Sequence, residues 1–532
     1  MTMSVSDTEA GRIWSGPPLA TISGLLGGPR VDDLLTRAAE RVPGKAALVT
    51  ADRGLTYAEL DAEVSRCASA FAALAGGPGA VIAIPAVLDP VFAVAYFGAA
   101  RAGLVSAVVN PLLTEQRMLH VLAVADARVA VIAPEMYPRF AAIADRLPAL
   151  KTVVLTERAP GLPPEAASLP TLGELLDAAP AFAAAPRSPD EQDLVSCLQF
   201  TSGTTGAAKA VRLSHRNLTV NAAQTAVAHR LDETSVLFTY LPTFHLMHLT
   251  IGVQAMATHV LWTGEDIAGS VEAAEAYRAT HYYSLPMRLA RLAADPRLAE
   301  LAPPRLRAIL SGGSALSPSV NLVLSQQFGV PVAQGYGLAE NSPSTHLSDW
   351  DKPKPGSSGL LVAGAQSRIV DIDTRAALPT GAKGEIQLRG PQLMVGYLGR
   401  DIGNDVDADG WFSTGDVGFY DEDGDLFVVD RIKDTFKCDN WLVSPTEIER
   451  VLLRHPAVAD GVVVDVPDEF SGAVAHALVV AASPDADAAA IAAAVNADLP
   501  YYEQIRRIVL VDAIERSATG KVVRRDLRHH FA

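Results

Sequence analysis

Thr201-Ser202-Gly203-Thr204-Thr205-Gly206-Ala207-Ala208-Lys209 directly follows residues 194–200, an apolar run that reads as a β-strand. Gly203 and Gly206 allow the backbone to turn back on itself and aim its amides inward. Thr201, Ser202, Thr204 and Thr205 add hydroxyl donors, and Lys209 adds a cation. A loop of this chemistry suits the oxygens of a polyphosphate. It is not a Walker loop, because no Lys-Ser/Thr pair follows Gly206 at the required offset.

Upstream of the loop, short apolar runs at 80–84, 105–109, 128–132 and 152–155 alternate with helical segments, the pattern of parallel strands joined by crossovers. Thr56 and Glu59 form a capping box that opens a helix with Tyr57, Leu60, Val64, Cys67, Phe71 and Leu74 on one face. The most apolar stretch, 81–109, is interrupted by Pro85, Asp89, Pro90 and Arg101, so it reads as buried core and not as a membrane span. Residues 159–190, rich in Pro and Ala, read as a surface connection. The pattern changes after the strand at 426–429. A helix opened by a capping box from Thr446 to Glu449 precedes strands at 461–466 and 475–481, a helix near 487–497 and a strand at 507–511. About 100 residues suffice for a separate small domain. The chain of 532 residues is therefore expected to be α/β: a large N-terminal α/β domain of several subdomains over 1–431, and a small mobile α+β domain over 432–532.

Composition excludes several partners. Apolar residues make up 49% and charged residues 20%, which is globular composition. The formal charge of −16 repels nucleic acid and anionic membrane surfaces, so an anionic ligand must be met by local cations and amides. Cys67, Cys197 and Cys438 have no metal-ligand spacing and cannot all pair, which fits a reducing, cytoplasmic setting. Asp7, Glu9 and Arg12 precede any apolar run, contrary to a signal peptide.

Downstream, Leu310-Ser311-Gly312-Gly313-Ser314-Ala315 and Gln334-Gly335-Tyr336-Gly337-Leu338-Ala339-Glu340 each open room for a flat ligand, with Tyr336 able to stack on it. Trp411-Phe412-Ser413-Thr414-Gly415-Asp416 supplies a carboxylate able to accept from two hydroxyls. Together with Leu213-Ser214-His215-Arg216-Asn217-Leu218 and Ser517-Ala518-Thr519-Gly520-Lys521, these motifs resemble, in order along nearly the whole chain, the adenylate-forming superfamily. That superfamily includes acyl-CoA synthetases, carrier-loading adenylation domains and luciferases, with coumarate and fatty-acid CoA ligases most similar.

The resemblance implies an ATP-dependent, Mg²⁺-assisted enzyme that converts a small aryl or short acyl acid into its AMP ester and transfers it to CoA or a carrier-protein thiol. Thr201, Ser202, Gly203, Thr204, Thr205 and Gly206 would hold the phosphates. Gly313, Ser314, Gln334, Gly335, Tyr336, Gly337 and Leu338 would surround adenine, and Asp416 and Arg431 the ribose. Glu340 would reach the metal. Lys433 marks the hinge about which the small domain rotates, and Lys437 contacts AMP. His245, in Leu241-Pro242-Thr243-Phe244-His245, would gate the acid pocket, lined also by Met247, His248, Gly312, Ala339 and Ser342. Lys209 and Lys521 would neutralise charge, with Lys521 bridging carboxylate and α-phosphate. Residues 384–397, ending in Tyr397, match a segment that reads as structural, and Arg524, Arg525 and Arg528 read as solvated helix charges.

The departures concern substrate and acceptor. Ala208 and Ala210 stand where Pro and Gly are usual, Ala339 where Thr is usual, and His248 where a small residue is common. Asp439 and Asn440 replace a cation and a glycine at positions tied to CoA, and both oppose CoA binding. The alternative these residues motivate is an AMP-forming ligase of secondary metabolism that does not use CoA, passing the activated acid to an amine or activating nitrite to diazotise an arylamine.

Overall fold

The computed structural model describes residues 3–8, 11–183, 187–201, 208–302, 305–439, 441–516, 522 and 524–531. The chain divides into two compact units: residues 1–5, 14–367 and 388–412, and residues 6–13, 368–387 and 413–532.

Two sheets carry the first unit. One has seven strands in the order Gly396–Tyr397, Ala210–Ser214, Val195–Phe200, Val105–Val109, Val81–Pro85, Val129–Ile132 and Thr152–Leu155. From Val195–Phe200 outward its pairs are parallel, as the alternating apolar runs predict. The second sheet has nine strands. At its centre Ala46–Val49, Thr258–Leu261, Val236–Tyr240, His281–Ser284, Ala308–Ser311 and Val332–Gly337 run parallel.

Helices Tyr57–Ala75 and Pro90–Arg101 pack together in the main core. The Thr56–Glu59 capping box opens the first, and Asp89 with Pro90 at the first turn opens the second. Every residue of Pro90–Arg101 except Val91 is buried, which explains why this stretch is so apolar without spanning a membrane. Among the described residues no helix is long and apolar enough to cross one. All three cysteines are buried free thiols.

The second unit contains the antiparallel pair Phe412–Tyr420 and Leu426–Arg431. It also has a five-stranded sheet in which Gly472–Ala481 lies between Val458–Asp468 and Phe436–Cys438 and also pairs with Ile505–Leu510. Helices Pro445–Leu452 and Ala488–Asn496 bury Ile448, Leu452, Ile491 and Val495 in the core of this unit.

Three expectations need correction. Residues 159–190 are more than a connection: Thr171 and Glu174 cap a helix, Leu172–Ala178, that buries Leu172 and Leu176. Thr446 is inside its helix, and the cap is Ser444, whose side chain accepts from the Glu447 amide. Arg524 is not a solvated charge. It lies 2.8 Å from Glu449 with both side chains largely buried, and it also donates to Thr446 and the Val463 carbonyl.

Candidate active site

In an open parallel sheet, ligands gather outside the carboxyl ends of the strands. Val236–Tyr240, Ala308–Ser311 and Val332–Gly337 end in the segments that carry His245, Gly312–Ser314 and Leu338–Ser342. Register fixes these ends beside one another, with Tyr240 opposite Ser284, Ser284 opposite Ser311 and Ser311 opposite Gln334. Three motifs that are dispersed in sequence thus emerge from one edge of the sheet.

The phosphate loop bridges the antiparallel strands Val195–Phe200 and Ala210–Ser214. Its ends are tied by the Thr201 amide donating to the Lys209 carbonyl at 3.0 Å and by the Lys209 amide donating to Thr201 Oγ1 at 3.2 Å. Ser202, Gly203, Thr204, Thr205 and Gly206 lie outside the described residues, as do Lys521 and Asn440. Lys209 is exposed, with Nζ 4.4 Å from the centroid of the Tyr397 ring, a cation–π distance. The Tyr397 hydroxyl donates to Glu340 Oε1 at 2.6 Å. Burial, reinforced by the Glu340 carboxylate, pushes the Tyr397 phenol far above its ordinary value, so it remains a donor.

Tyr397 therefore links the loop cation to the carboxylate proposed for the metal, a role its reading as a structural residue missed. The available signal is long-range: Tyr397 pairs with Val211, two residues after Lys209. The Glu340 oxygen not bonded to Tyr397 has no protein partner among the described residues, and Glu340 is largely buried. A hard carboxylate oxygen in that state fits Mg²⁺, which typically takes one or two carboxylates and completes its shell with phosphates and water.

Gln334 acts through another segment. Its Oε1 accepts from the Leu316 amide at 2.5 Å and its Nε2 donates to the Ser357 carbonyl at 3.3 Å, so it shapes the Gly312–Leu316 turn. Gly313 sits at φ +86° with open space where a Cβ would be, and Ser314 is exposed beside it. Tyr336 is half-buried, and its carbonyl accepts from Thr345 Oγ1. Gly335, Gly337, Leu338 and Ala339 continue the same edge. Ser342 donates to the Gln392 carbonyl at 2.9 Å, so its hydroxyl is already engaged.

His245 caps the helix Leu246–Gln254, its Nδ1 accepting from the Met247 amide at 3.2 Å. The side chain keeps a solvent-exposed surface, yet the surrounding protein pushes its imidazole down to about 4. Met247 Sδ accepts from Ser344 Oγ at 3.2 Å. The His248 ring stands edge-on to Tyr283, with centroids 4.9 Å apart, and 6.0 Å from that of His245. Burial first, then the imidazoles of His245, His259 and His229, hold His248 far below the ordinary histidine range. The Tyr283 hydroxyl bonds His229 Nδ1 at 3.0 Å. Gly252 makes room for His259: a Cβ there would lie 2.5 Å from the ring. Tyr283, His229, His259 and Gly252 were all missed by sequence reasoning.

In the second unit, Asp416 and Arg431 face each other across an antiparallel rung, Arg431 Nε lying 3.1 Å from Asp416 Oδ1. Asp416 is buried and Arg431 exposed. Lys433 occupies the short turn Ile432–Asp434, and Lys437 pairs with Asp373. Asp439 is exposed, at φ +48°, and its amide donates to the Ser471 carbonyl at 3.0 Å.

The AMP-binding enzyme family matches residues 35–398, and the AMP-binding enzyme C-terminal domain matches 447–521. The chain belongs to the adenylate-forming enzymes. Its similarity to the 4-coumarate–CoA ligase 5 of Oryza sativa subsp. japonica is 31% identity over 523 residues, covering 95% of each chain. Among solved structures, ATP-bound MatB from Rhodopseudomonas palustris superposes with a TM-score of 0.84 at 26% identity, covering 94% of this chain and 99% of that one. A benzoate CoA ligase from Burkholderia xenovorans gives a TM-score of 0.81 at 26% identity, with the same coverage. This adenylate-forming enzyme is thus an AMP-forming ligase of the acid–thiol type, in the two-part α/β architecture its motifs predict.

Proposed function

We propose that this enzyme adenylates a small aryl or short acyl carboxylic acid and transfers the acyl group to the thiol of CoA or of a carrier protein. The observation that carries the reading is the connection from Lys209 through Tyr397 to Glu340. It puts the phosphate-loop cation and a carboxylate suited to Mg²⁺ on one fixed phenol. In the first step an acid oxygen attacks the α-phosphorus, the bond to the β-phosphate oxygen breaks, and pyrophosphate leaves. Lys209 neutralises phosphate charge, and Lys521 brings the two anions together. Asp416 accepts from the ribose hydroxyls, oriented by Arg431. Mg²⁺ held by Glu340 would supply charge neutralisation on the phosphates. In the second step the thiol sulfur attacks the acyl carbon and AMP leaves, after a turn about Lys433 exchanges the faces presented to the ester.

Acid-dependent exchange of labelled pyrophosphate into ATP tests the first step, and its absence with every acid of a broad panel defeats the reading. Lys521→Ala should reduce the exchange at least about 100-fold, in line with the loss of other positioned electrostatic groups.

One observation favours a second reading, in which the acceptor is an amine or the acid is nitrite. Asp439 holds an exposed carboxylate where CoA ligases carry a cation, and a carboxylate there repels an anionic cofactor. AMP release measured with and without CoA separates the two readings, and strong dependence on CoA removes the second.

A further inference from the structure

His245 and His248, which the family resemblance assigns to the acid pocket, stand with ring centroids 6.0 Å apart, and the position of each ring proton follows from its surroundings. His245 Nδ1 accepts a hydrogen bond from the Met247 amide. A neutral imidazole has one donor and one acceptor nitrogen, so the proton of His245 lies on Nε2. His248 Nδ1 is fully buried and has no partner. An orphaned N–H in a dry wall is rarer and costlier than an under-used acceptor, which places the proton of His248 on Nε2 as well. His248 is half-buried, and since Nδ1 is sealed, a ligand would meet the ring from its Nε2 side. Both rings are neutral at ordinary pH: desolvation opposes protonation of His245, and desolvation with the neighbouring imidazoles opposes that of His248.

The neighbouring polar groups do not compete for these donors. The Tyr283 hydroxyl is engaged with His229, and the Ser344 hydroxyl with Met247. The wall thus offers two uncharged N–H groups on rings whose centroids are 6.0 Å apart.

Resting on the adenylation reading above, we propose that the acid carries, beyond its carboxylate, a neutral hydrogen-bond acceptor oxygen (carbonyl, ether or nitro), received by the Nε2–H groups of His245 and His248. A purely hydrocarbon tail leaves both donors desolvated and unpaired, at the cost of their lost hydration. An ammonium tail presents a donor to a donor. A second carboxylate finds hydrogen bonds but no compensating positive charge, since neither imidazole is protonated.

The test is pyrophosphate release by the full-length enzyme with shape-matched acids: 4-oxopentanoate against 4-methylpentanoate, 4-methoxybenzoate against 4-ethylbenzoate, with 4-aminobutanoate and glutarate as charged controls. The expected result is a kcat/KM about tenfold or more higher for an acceptor-bearing acid than for its hydrocarbon partner, with both charged controls poorer. His248→Phe, which keeps a planar ring and removes the donor, should collapse that ratio towards one, while His248→Gln, which restores an N–H, should recover part of it. Turnover of hydrocarbon acids as fast as their partners, or a ratio that survives both His245→Phe and His248→Phe, overturns the inference and leaves adenylation standing. No acid-dependent ATP cleavage by any acid overturns both.

Discussion

At Asp416 a buried carboxylate is compensated by a guanidinium 3.1 Å away. Around His248 the protein gathers the imidazoles of His229, His245 and His259 and keeps every one of them uncharged. The rung tolerates burial because opposite charges face each other across two strands. The histidine wall tolerates burial because it carries no charge, and the cost appears as unpartnered atoms such as His248 Nδ1 and His259 Nε2. The difference follows the chemistry assigned to each region. Under the proposed function, groups for the nucleotide would meet fixed anions and ribose hydroxyls, which ionised groups serve best. Groups proposed for the tail of the acid would select by shape and donor pattern, for which a charge would be indiscriminate.

The largest expected effect breaks the charged half of the comparison. Asp416→Ala removes an ionised acceptor and leaves Arg431 without this partner. Two hydrogen bonds to a charged group together contribute about 3 kcal/mol, so the KM for ATP should rise on the order of 100-fold, with the KM for the acid nearly unchanged. Steady-state kinetics in which each substrate is varied in turn check the split.

Gly252→Ala tests the packing of the neutral half. The added methyl meets the His259 ring at 2.5 Å, and His259 is itself held edge-on against Phe244, with centroids 5.5 Å apart. Overpacking of this kind costs about 2 kcal/mol, read as a lower urea midpoint with an unchanged slope.

These two tests also separate what was legible in the sequence from what was not. Asp416, Glu340, Lys209 and the glycine turns could be picked out as candidates because each sits in a short contiguous motif whose chemistry is local. Of the wall, His245 and His248 could be named because they share one short segment at the start of a helix, whereas His229, His259 and Tyr283 could not, because only the parallel sheet brings their elements together. Tyr397 escaped for the same reason, since its partners Lys209 and Glu340 are far away in sequence. The misplaced helix cap has a more local cause. Ser444 precedes Glu447 by three residues, and Thr446 precedes Glu449 by the same spacing, so the capping pattern fits twice. Pro445 decides it, because proline is favoured at the first helical position. Glu449, one turn in, is then available for Arg524, which explains why that arginine is buried and paired.

Acid titration sharpens the comparison further. His229 and His259 are both pushed down to about 3 by burial, whereas an unfolded chain titrates them near about 6.5. Between those values the unfolded state binds protons that the folded state refuses. Stability from these groups is therefore complete above about pH 6.5 and is lost as the pH falls towards 3. From pH 7 to pH 5 each imidazole should cost roughly 2 kcal/mol. Urea midpoints at the two pH values check the sign, and His259→Phe should make the decline shallower.

The smallest expected effect separates the scaffold of the wall from its working face. Tyr283→Phe keeps the ring edge against His248 and deletes only the hydroxyl that bonds His229 Nδ1 at 3.0 Å. A single neutral hydrogen bond contributes about 1 kcal/mol net, with a further penalty where the abandoned partner stays buried, and His229 is buried. The urea midpoint should fall accordingly. The KM values for acid and ATP should both hold, because the protons of His245 and His248 are placed by the Met247 amide and by the dry surroundings of Nδ1, and neither involves the tyrosine hydroxyl. A selective rise in the acid KM would instead show that His229 and Tyr283 transmit orientation to His248, so that the wall works as a connected relay and not as two independent donors.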